Sequence, residues 1–184
     1  MSEDISDVEE LEPSELGTQE YEHGDVGEVW FGEDSALRIV SWMTSSDLVK
    51  QEDSIVDLGC GNGMLLVELA REGFSNLMGV DYSQNAIDLA KSVARAQNLT
   101  ISFEVCDILS AENSLSSQEF AVALDKGTYD AVSLNPDNPK QRREQYISNV
   151  WKLLRPQGIL ILTSCNWTEK ELVSHFSTSC DIPP

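Results

Sequence analysis

Lysine and arginine are scarce in this 184-residue chain: 12 of them face 32 aspartates and glutamates, a formal net charge of −20. Such a surface repels phosphate backbones at long range, which argues against a nucleic-acid substrate and favours a basic protein partner. Cysteine is sparse too. Cys60, Cys106, Cys165 and Cys180 stand far apart with no C-x-x-C pair, so neither a disulfide framework nor a structural zinc site is indicated, and no metal is expected. The only histidines, His23 and His175, are expected to be exposed or packed bystanders. No long apolar run or secretory leader is evident, so no membrane association is expected; the cytosol or nucleus is the expected compartment and a monomer the expected state.

What is abundant is acid, and it is unevenly placed. Ten acidic residues fall between Glu3 and Asp25, where no lysine or arginine occurs. Residues 1–25 cannot bury enough apolar surface to offset chain entropy, so they are expected to form a disordered tail that aids solubility or docks on a basic partner. The rest, residues 26–184, suits one domain; a compact unit of this size buries about 70% of its extended surface.

Beyond the tail, the hydrophobic pattern alternates between two periods. A leading helix is expected from Asp34, its N-cap, with Leu37, Val40 and Ser41/Met43 facing inward. Ser54–Leu58 is a short apolar strand ending in a glycine cluster, and Met64–Arg71 is a helix that Gly73 stops. A second strand, Asn76–Val80, ends at Asp81, and Ser83 caps a helix with Ala86, Leu89, Ala90 and Val93 on its inner face. Thr100–Val105 alternates Ile101, Phe103 and Val105 as a third strand ending at Cys106-Asp107. Phe120–Leu124 is a fourth strand ending at Asp125, Gln141–Leu154 a helix through Tyr146, Val150 and Leu153, and Gly158–Thr163 a fifth strand. Strands alternating with helices predict an α/β fold with a mostly parallel sheet covered on both faces.

In an open parallel sheet, ligands sit beyond the carboxyl ends of the strands where strand order reverses. Asp57-x-Gly59-x-Gly61-x-Gly63 occupies the first strand-to-helix turn, where missing side chains let the backbone approach a ligand. A dinucleotide fingerprint would read G-x-G-x-x-G, and Met64 stands where its third glycine falls, which weakens a nicotinamide reading. Asp81 follows Asp57 by 24 residues at the end of the second strand, where a carboxylate can accept hydrogen bonds from vicinal ribose hydroxyls. Asp107 ends the third strand, so three acids stand at three successive strand ends.

The acidic residue before the glycines resembles motif I of the class I S-adenosylmethionine-dependent methyltransferases, which have a Rossmann-like sheet. The resemblance implies a cofactor site made of Asp57, Gly59, Cys60, Gly61, Asn62, Asp81, Tyr82, Asp107 and the backbone N–H of Ile108, with Asp107 and Ile108 reading the adenine edge. It also implies that Trp30-Phe31-Gly32 closes over the cofactor, with core packing as the alternative for these aromatics. Asp125-Lys-Gly-Thr-Tyr-Asp130 would face the transferred methyl group, with Asp125 as catalytic and cofactor-binding residue lining the acceptor channel. Tyr129–Pro136 superficially resembles the [DN]-P-P-[YFW] strand end of amino-group methyltransferases, but Asp137 and Asn138 replace the second proline and the aromatic, so Asn135-Pro136 reads as an ordinary turn.

Three longer stretches are more specific: Asp57 to Asn62, Asp125 to Asn138, and Leu162-Thr-Ser-Cys-Asn-Trp167. They closely resemble the lysine methyltransferases that modify translation elongation factor 1-alpha, the methyltransferase-like protein ten group, over about Gly27 to Phe176. The resemblance implies methylation of a lysine on a folded, basic, GTP-binding protein. It also implies two further strands after the helix at Thr168–Phe176. This sequence closes at Cys180-Asp-Ile-Pro-Pro184, so the fold is expected without the last two strands and with an uncovered fifth strand. A methyltransferase for a small molecule or another protein side chain, and a catalytically impaired cofactor-binding isoform, are the alternatives.

Overall fold

The computed structural model describes residues 32–110 and 114–177. The acidic tail, Trp30, Phe31, His23 and Cys180 lie outside the described residues. In chain order the elements are α1 (Gly32–Ser45), β1 (Ile55–Leu58), α2 (Met64–Arg71), β2 (Leu77–Asp81), α3 (Gln84–Ala96), β3 (Ser102–Val105), β4 (Phe120–Lys126), α4 (Thr128–Leu134), α5 (Pro139–Leu153), β5 (Leu154–Thr163) and α6 (Glu169–Ser177).

The five strands form one sheet in the order β3-β2-β1-β4-β5, and every pairing is parallel. Strand order reverses between β1 and β4, which is where a doubly wound sheet opens a crevice at its carboxyl edge. The central strands β1, β2 and β4 are buried nearly throughout, as expected of strands covered on both faces. Successive side chains of each strand feed two cores. Ile55, Val122 and Leu124 pack with α1, α2 and α3; Val56, Leu58 and Ala123 pack with Tyr129 of α4, Tyr146 and Val150 of α5 and Phe176 of α6.

The expected alternation of strands and helices is present, with local differences. Asp34 lies inside the first turn of α1 rather than capping it, and the buried face is Ile39, Val40 and Met43, while Leu37 is exposed. In α3, Ser83 does cap the helix, accepting from the Ala86 N–H at 3.4 Å. The buried stripe is Ile87, Ala90 and Ala94, so of the four residues expected inside only Ala90 is fully buried. Val105 is exposed because, among the described residues, β3 is a sheet edge with a neighbour on one side only.

β5 begins at Leu154 rather than Gly158, and a register shift opposite Phe120/Val122 absorbs the extra residues, with Gln157 at φ 66°. Arg-Pro-Gln-Gly reads as a turn in sequence but is taken up as an irregularity within the strand. As the other edge among the described residues, β5 is only half-buried along Ile159–Leu162. Asn135-Pro136 is a turn as expected, held by the Asp137 N–H donating to Asn135 Oδ1 at 2.9 Å.

Candidate active site

The glycine turn is folded by β2 rather than by itself. Gly59 N–H and Cys60 N–H both donate to the Val80 carbonyl, at 2.8 and 2.9 Å, drawing the turn against the end of the neighbouring strand. Gly59 has φ 73°, and a Cβ there would overlap Thr128 Oγ1, whose hydroxyl donates to the Leu58 carbonyl at 2.5 Å. Gly61 has φ 52° but, among the described residues, nothing within 4 Å of where a Cβ would stand. Gly59 is therefore glycine because α4 presses on it, and Gly61 is glycine beside open space. Asn62 Oδ1 accepts from the Met64 N–H at 3.2 Å and turns the chain into α2.

Asp81 sits in the crook of this turn. Its Oδ2 accepts from Gly61 N–H at 3.1 Å and its Oδ1 from Ser83 N–H at 2.9 Å, so one carboxylate secures both the glycine turn and the start of α3. It is 9% exposed, whereas the next residue, Tyr82, is 66% exposed beside it. Asp57 points to the same face of the sheet and is 3% exposed. Burial pushes its carboxyl up to about 7, against the pull of Lys126, with Asp125 and Asp81 adding repulsion. Lys126, at the end of β4 across the crevice, is pushed down by burial while Asp57 and Asp125 hold it up.

Asp107 follows β3 and is exposed; its Oδ1 accepts from Leu109 N–H at 2.9 Å, and Cys106 N–H donates to the Asp81 carbonyl at 2.9 Å. Ile108 is buried, with its carbonyl accepting from Asn149 Nδ2 at 2.7 Å. Asp57, Asp81 and Asp107 thus stand at the carboxyl ends of three adjacent strands, as expected, with the glycine turn between the first two. The Cys60 thiol is buried, and burial pushes it well up, so it packs rather than acting as a nucleophile.

Asp125 stands differently from the expectation. Its carboxylate has no exposed surface, and it faces α4 and α5 rather than a channel. Tyr146 OH donates to Oδ2 at 2.5 Å, Thr128 N–H to Oδ1 at 2.8 Å and Tyr129 N–H to Oδ2 at 2.9 Å. Burial pushes its pKa up to about 6, while those three hydrogen bonds hold it down. It caps α4, a helix the sequence pattern did not announce because Gly127 and seven residues leave no apolar period to read. The Asp125 side chain therefore holds the start of α4 and the Tyr146 hydroxyl.

Beside β4 and β5 the sheet end is lined by α4 and the loop after β5. Asp130 accepts from Ser164 OH at 2.5 Å and from Cys165 N–H at 2.8 Å, fixing that loop over the sheet end. Tyr129 OH shares a 2.9 Å hydrogen bond with His175 Nδ1, Trp167 lies edge-on to His175 at 4.7 Å between centroids, and Arg143 stands 5.2 Å over the Trp167 ring. His175 is thus packed within an aromatic cluster. Lys126 and Thr128 fall in the Asp125–Asp130 stretch expected at the site, whereas Tyr146 and Asn149 of α5 were missed. The one available signal is Asn149, a polar residue on the apolar stripe between Tyr146 and Val150.

This geometry suits an adenosyl ligand: open space at Gly61, a carboxylate next to it, a second buried acid, and an exposed acid one strand further on. A family model described as "Methyltransferase domain" matches residues 49–182. Human EEF1A lysine methyltransferase 2 is 42% identical over 92% of this chain and 77% of its own length. This chain belongs to the EEF1A lysine methyltransferase family. The protein-lysine N-methyltransferase efm4 of Schizosaccharomyces pombe is 37% identical over 91% of this chain and 82% of its own. An S-adenosylmethionine-dependent methyltransferase from Clostridium acetobutylicum shares the fold, with a TM-score of 0.54 at 20% identity over 74% of this chain and 50% of that one. As a member of this family the chain is an S-adenosylmethionine-dependent methyltransferase.

Proposed function

We propose that this enzyme methylates a lysine of elongation factor 1-alpha, and that Asp57, Asp81 and Asp107 hold the cofactor. What supports the site is that three acids stand at the carboxyl ends of adjacent strands, with Asp81 accepting from the Gly61 N–H beside the glycine turn. The substrate reading is supported by the 42% identity to human EEF1A lysine methyltransferase 2.

The residues divide the work by position. The backbone of Gly59, Cys60, Gly61 and Asn62 together with Asp57 holds the amino-acid part of the cofactor, and Asp81 accepts from its ribose hydroxyls. Asp107 and the Ile108 N–H take the adenine edge, with Tyr82 covering the rim. When bound, S-adenosylmethionine supplies a methyl group on an electrophilic sulfonium. No covalent residue of the chain is required; holding the acceptor in line lowers the barrier by about 7–11 kcal/mol. A net charge of −20 draws in a basic substrate protein, and the acceptor ammonium yields its proton to solvent as it enters the desolvated crevice. Asp125 and Asp130 brace α4 and the loop after β5, which form the wall on that side. The proposed setting is the cytosol or nucleus, with the enzyme acting as a monomer on protein rather than nucleic acid.

Incubation of the chain with methyl-labelled cofactor and a cell lysate, followed by mass spectrometry, tests the reading. A labelled lysine on elongation factor 1-alpha is the expected result. Label confined to small metabolites, or to other proteins, refutes the substrate. Asp81→Ala is expected to abolish calorimetric binding of S-adenosylhomocysteine; unchanged affinity refutes its ribose role.

A further inference from the structure

The loop that follows β3 is fastened from the opposite side of the sheet order, by a helix that belongs to the acceptor half of the molecule. Asn149 of α5 is 4% exposed, and its Nδ2 donates to two backbone carbonyls of that loop, Ile108 at 2.7 Å and Ser110 at 3.1 Å. Its Oδ1 accepts from Gln145 Nε2 at 2.9 Å, one turn earlier, which fixes the orientation of the amide. Nδ2 has two hydrogens, and both are used. Three residues before it, Tyr146 on the same buried face of α5 donates to Asp125. One turn of α5 therefore holds both the loop after β3 and the end of β4.

The consequence for Asp107 is geometric. Its Oδ1 is already engaged with the Leu109 N–H, so the carboxylate direction depends on where the backbone of residues 107–110 lies. Ser110 N–H closes the same turn on the Asp107 carbonyl at 3.0 Å. Anchoring the Ile108 carbonyl fixes the Ile108–Leu109 peptide plane, and anchoring the Ser110 carbonyl holds the far end of the turn. The Asp107 carbonyl, bonded to the Ser110 N–H, shares its peptide plane with the Ile108 N–H and so sets that group's direction. A loop outside regular structure has no ladder to do this, and a buried amide with both donors spent on it substitutes for one.

We propose that Asn149, oriented by Gln145, is a positioning residue for adenine discrimination: it holds the 107–110 turn so that Asp107 and the Ile108 N–H meet the purine edge. This rests on the assignment of Asp107 and Ile108 to the adenine under the proposed function. Asn149 touches no ligand itself. Its effect should appear in the choice between purines, since Asp107 accepts from the adenine amino group, which hypoxanthine replaces with a carbonyl.

The test is calorimetric titration of the full chain with S-adenosylhomocysteine and, separately, S-inosylhomocysteine, together with the melting temperature of each variant. The wild-type chain is expected to prefer the adenosyl compound by about tenfold or more, the worth of one hydrogen bond to a charged acceptor. Asp107→Ala is expected to remove that preference. Asn149→Leu is expected to cut it to within about threefold, and Gln145→Ala to reduce it by about half or more while changing stability little. A purely structural role would lower the melting temperature and weaken both ligands alike, leaving their ratio intact, and that result overturns the proposal. If Asn149→Leu does not fold, the Gln145→Ala ratio decides: a wild-type ratio refutes the proposal and a reduced one supports it. A wild-type chain that binds both compounds equally, or an Asp107→Ala chain that keeps the preference, removes the adenine assignment itself and this inference with it.

Discussion

Replacing Asp57 by Asn should stabilise the ligand-free enzyme, and the gain should grow with pH. Burial raises the Asp57 pKa from 3.8 to about 7, so the folded chain holds a proton that the unfolded chain releases. A carboxyl whose folded pKa lies above its unfolded one contributes stability that is complete below the unfolded value and is lost as pH rises through the folded value. Each pH unit in that window removes about 1.4 kcal/mol. Between pH 5 and pH 8 the wild-type chain therefore loses about 2–3 kcal/mol through this one group, a loss that Asp57→Asn escapes. For a chain of this size about 2–4 °C of melting temperature accompanies each kcal/mol, so the advantage of the variant should widen by about 5–10 °C. Asp125 titrates in the same direction with a pKa of about 6 and is present in both proteins, so the difference reports Asp57 together with the repulsion Asp125 exerts on it. The measurement is thermal unfolding of both chains at pH 5 and pH 8 at one ionic strength. A difference between variant and wild type that is the same at both pH values refutes the reasoning, because it would mean that Asp57 does not titrate in this window. At pH 8, where the wild-type carboxyl is charged, S-adenosylhomocysteine should bind the variant about tenfold or more weakly, since a neutral amide replaces a charged acceptor.

The two glycines of the turn should separate folding from binding. Gly59→Ala drives a methyl into Thr128 Oγ1 at φ 73° and is expected to cost more than about 3 kcal/mol in urea unfolding. Gly61→Ala meets nothing and should cost only about 1 kcal/mol, yet obstruct the cofactor and abolish calorimetric binding. Tyr146→Phe strips the hydroxyl from a carboxylate with no exposed surface, so a loss of about 2–3 kcal/mol at pH 8 is expected. That loss should be smaller at pH 5, where Asp125 takes up a proton; a pH-independent loss would show that the hydroxyl does not support the charged form.

The strand-end acids and the glycine turn were legible in the sequence because each is local. Asp57, Asp81 and Asp107 follow apolar runs short enough to be strands, and parallel strands joined by helices must present their carboxyl ends on one side. That these three ends are neighbours follows from the order β3-β2-β1 of the folded sheet. The inner faces of α1 and α3 were legible only to within a residue or so. Leu37 and Val93 are as apolar as the residues that replace them, and only packing against β1 and β2 selects among them.

What tertiary structure alone decided is the role of each polar group. Asp125 and Asp107 look alike in sequence, each a carboxylate at the end of an apolar strand. One is sealed beneath α4 with three donors on it, and the other stands at the surface with one. Local pattern carries hydrophobicity and turn propensity, but a hydrogen bond between Asn149 and Ile108, or Tyr146 and Asp125, joins residues 41 or 21 positions apart. Whether a buried acid holds a ligand or a helix depends on which donors the folded chain brings to it, and that is a property of the packing, not of the strand that carries the acid.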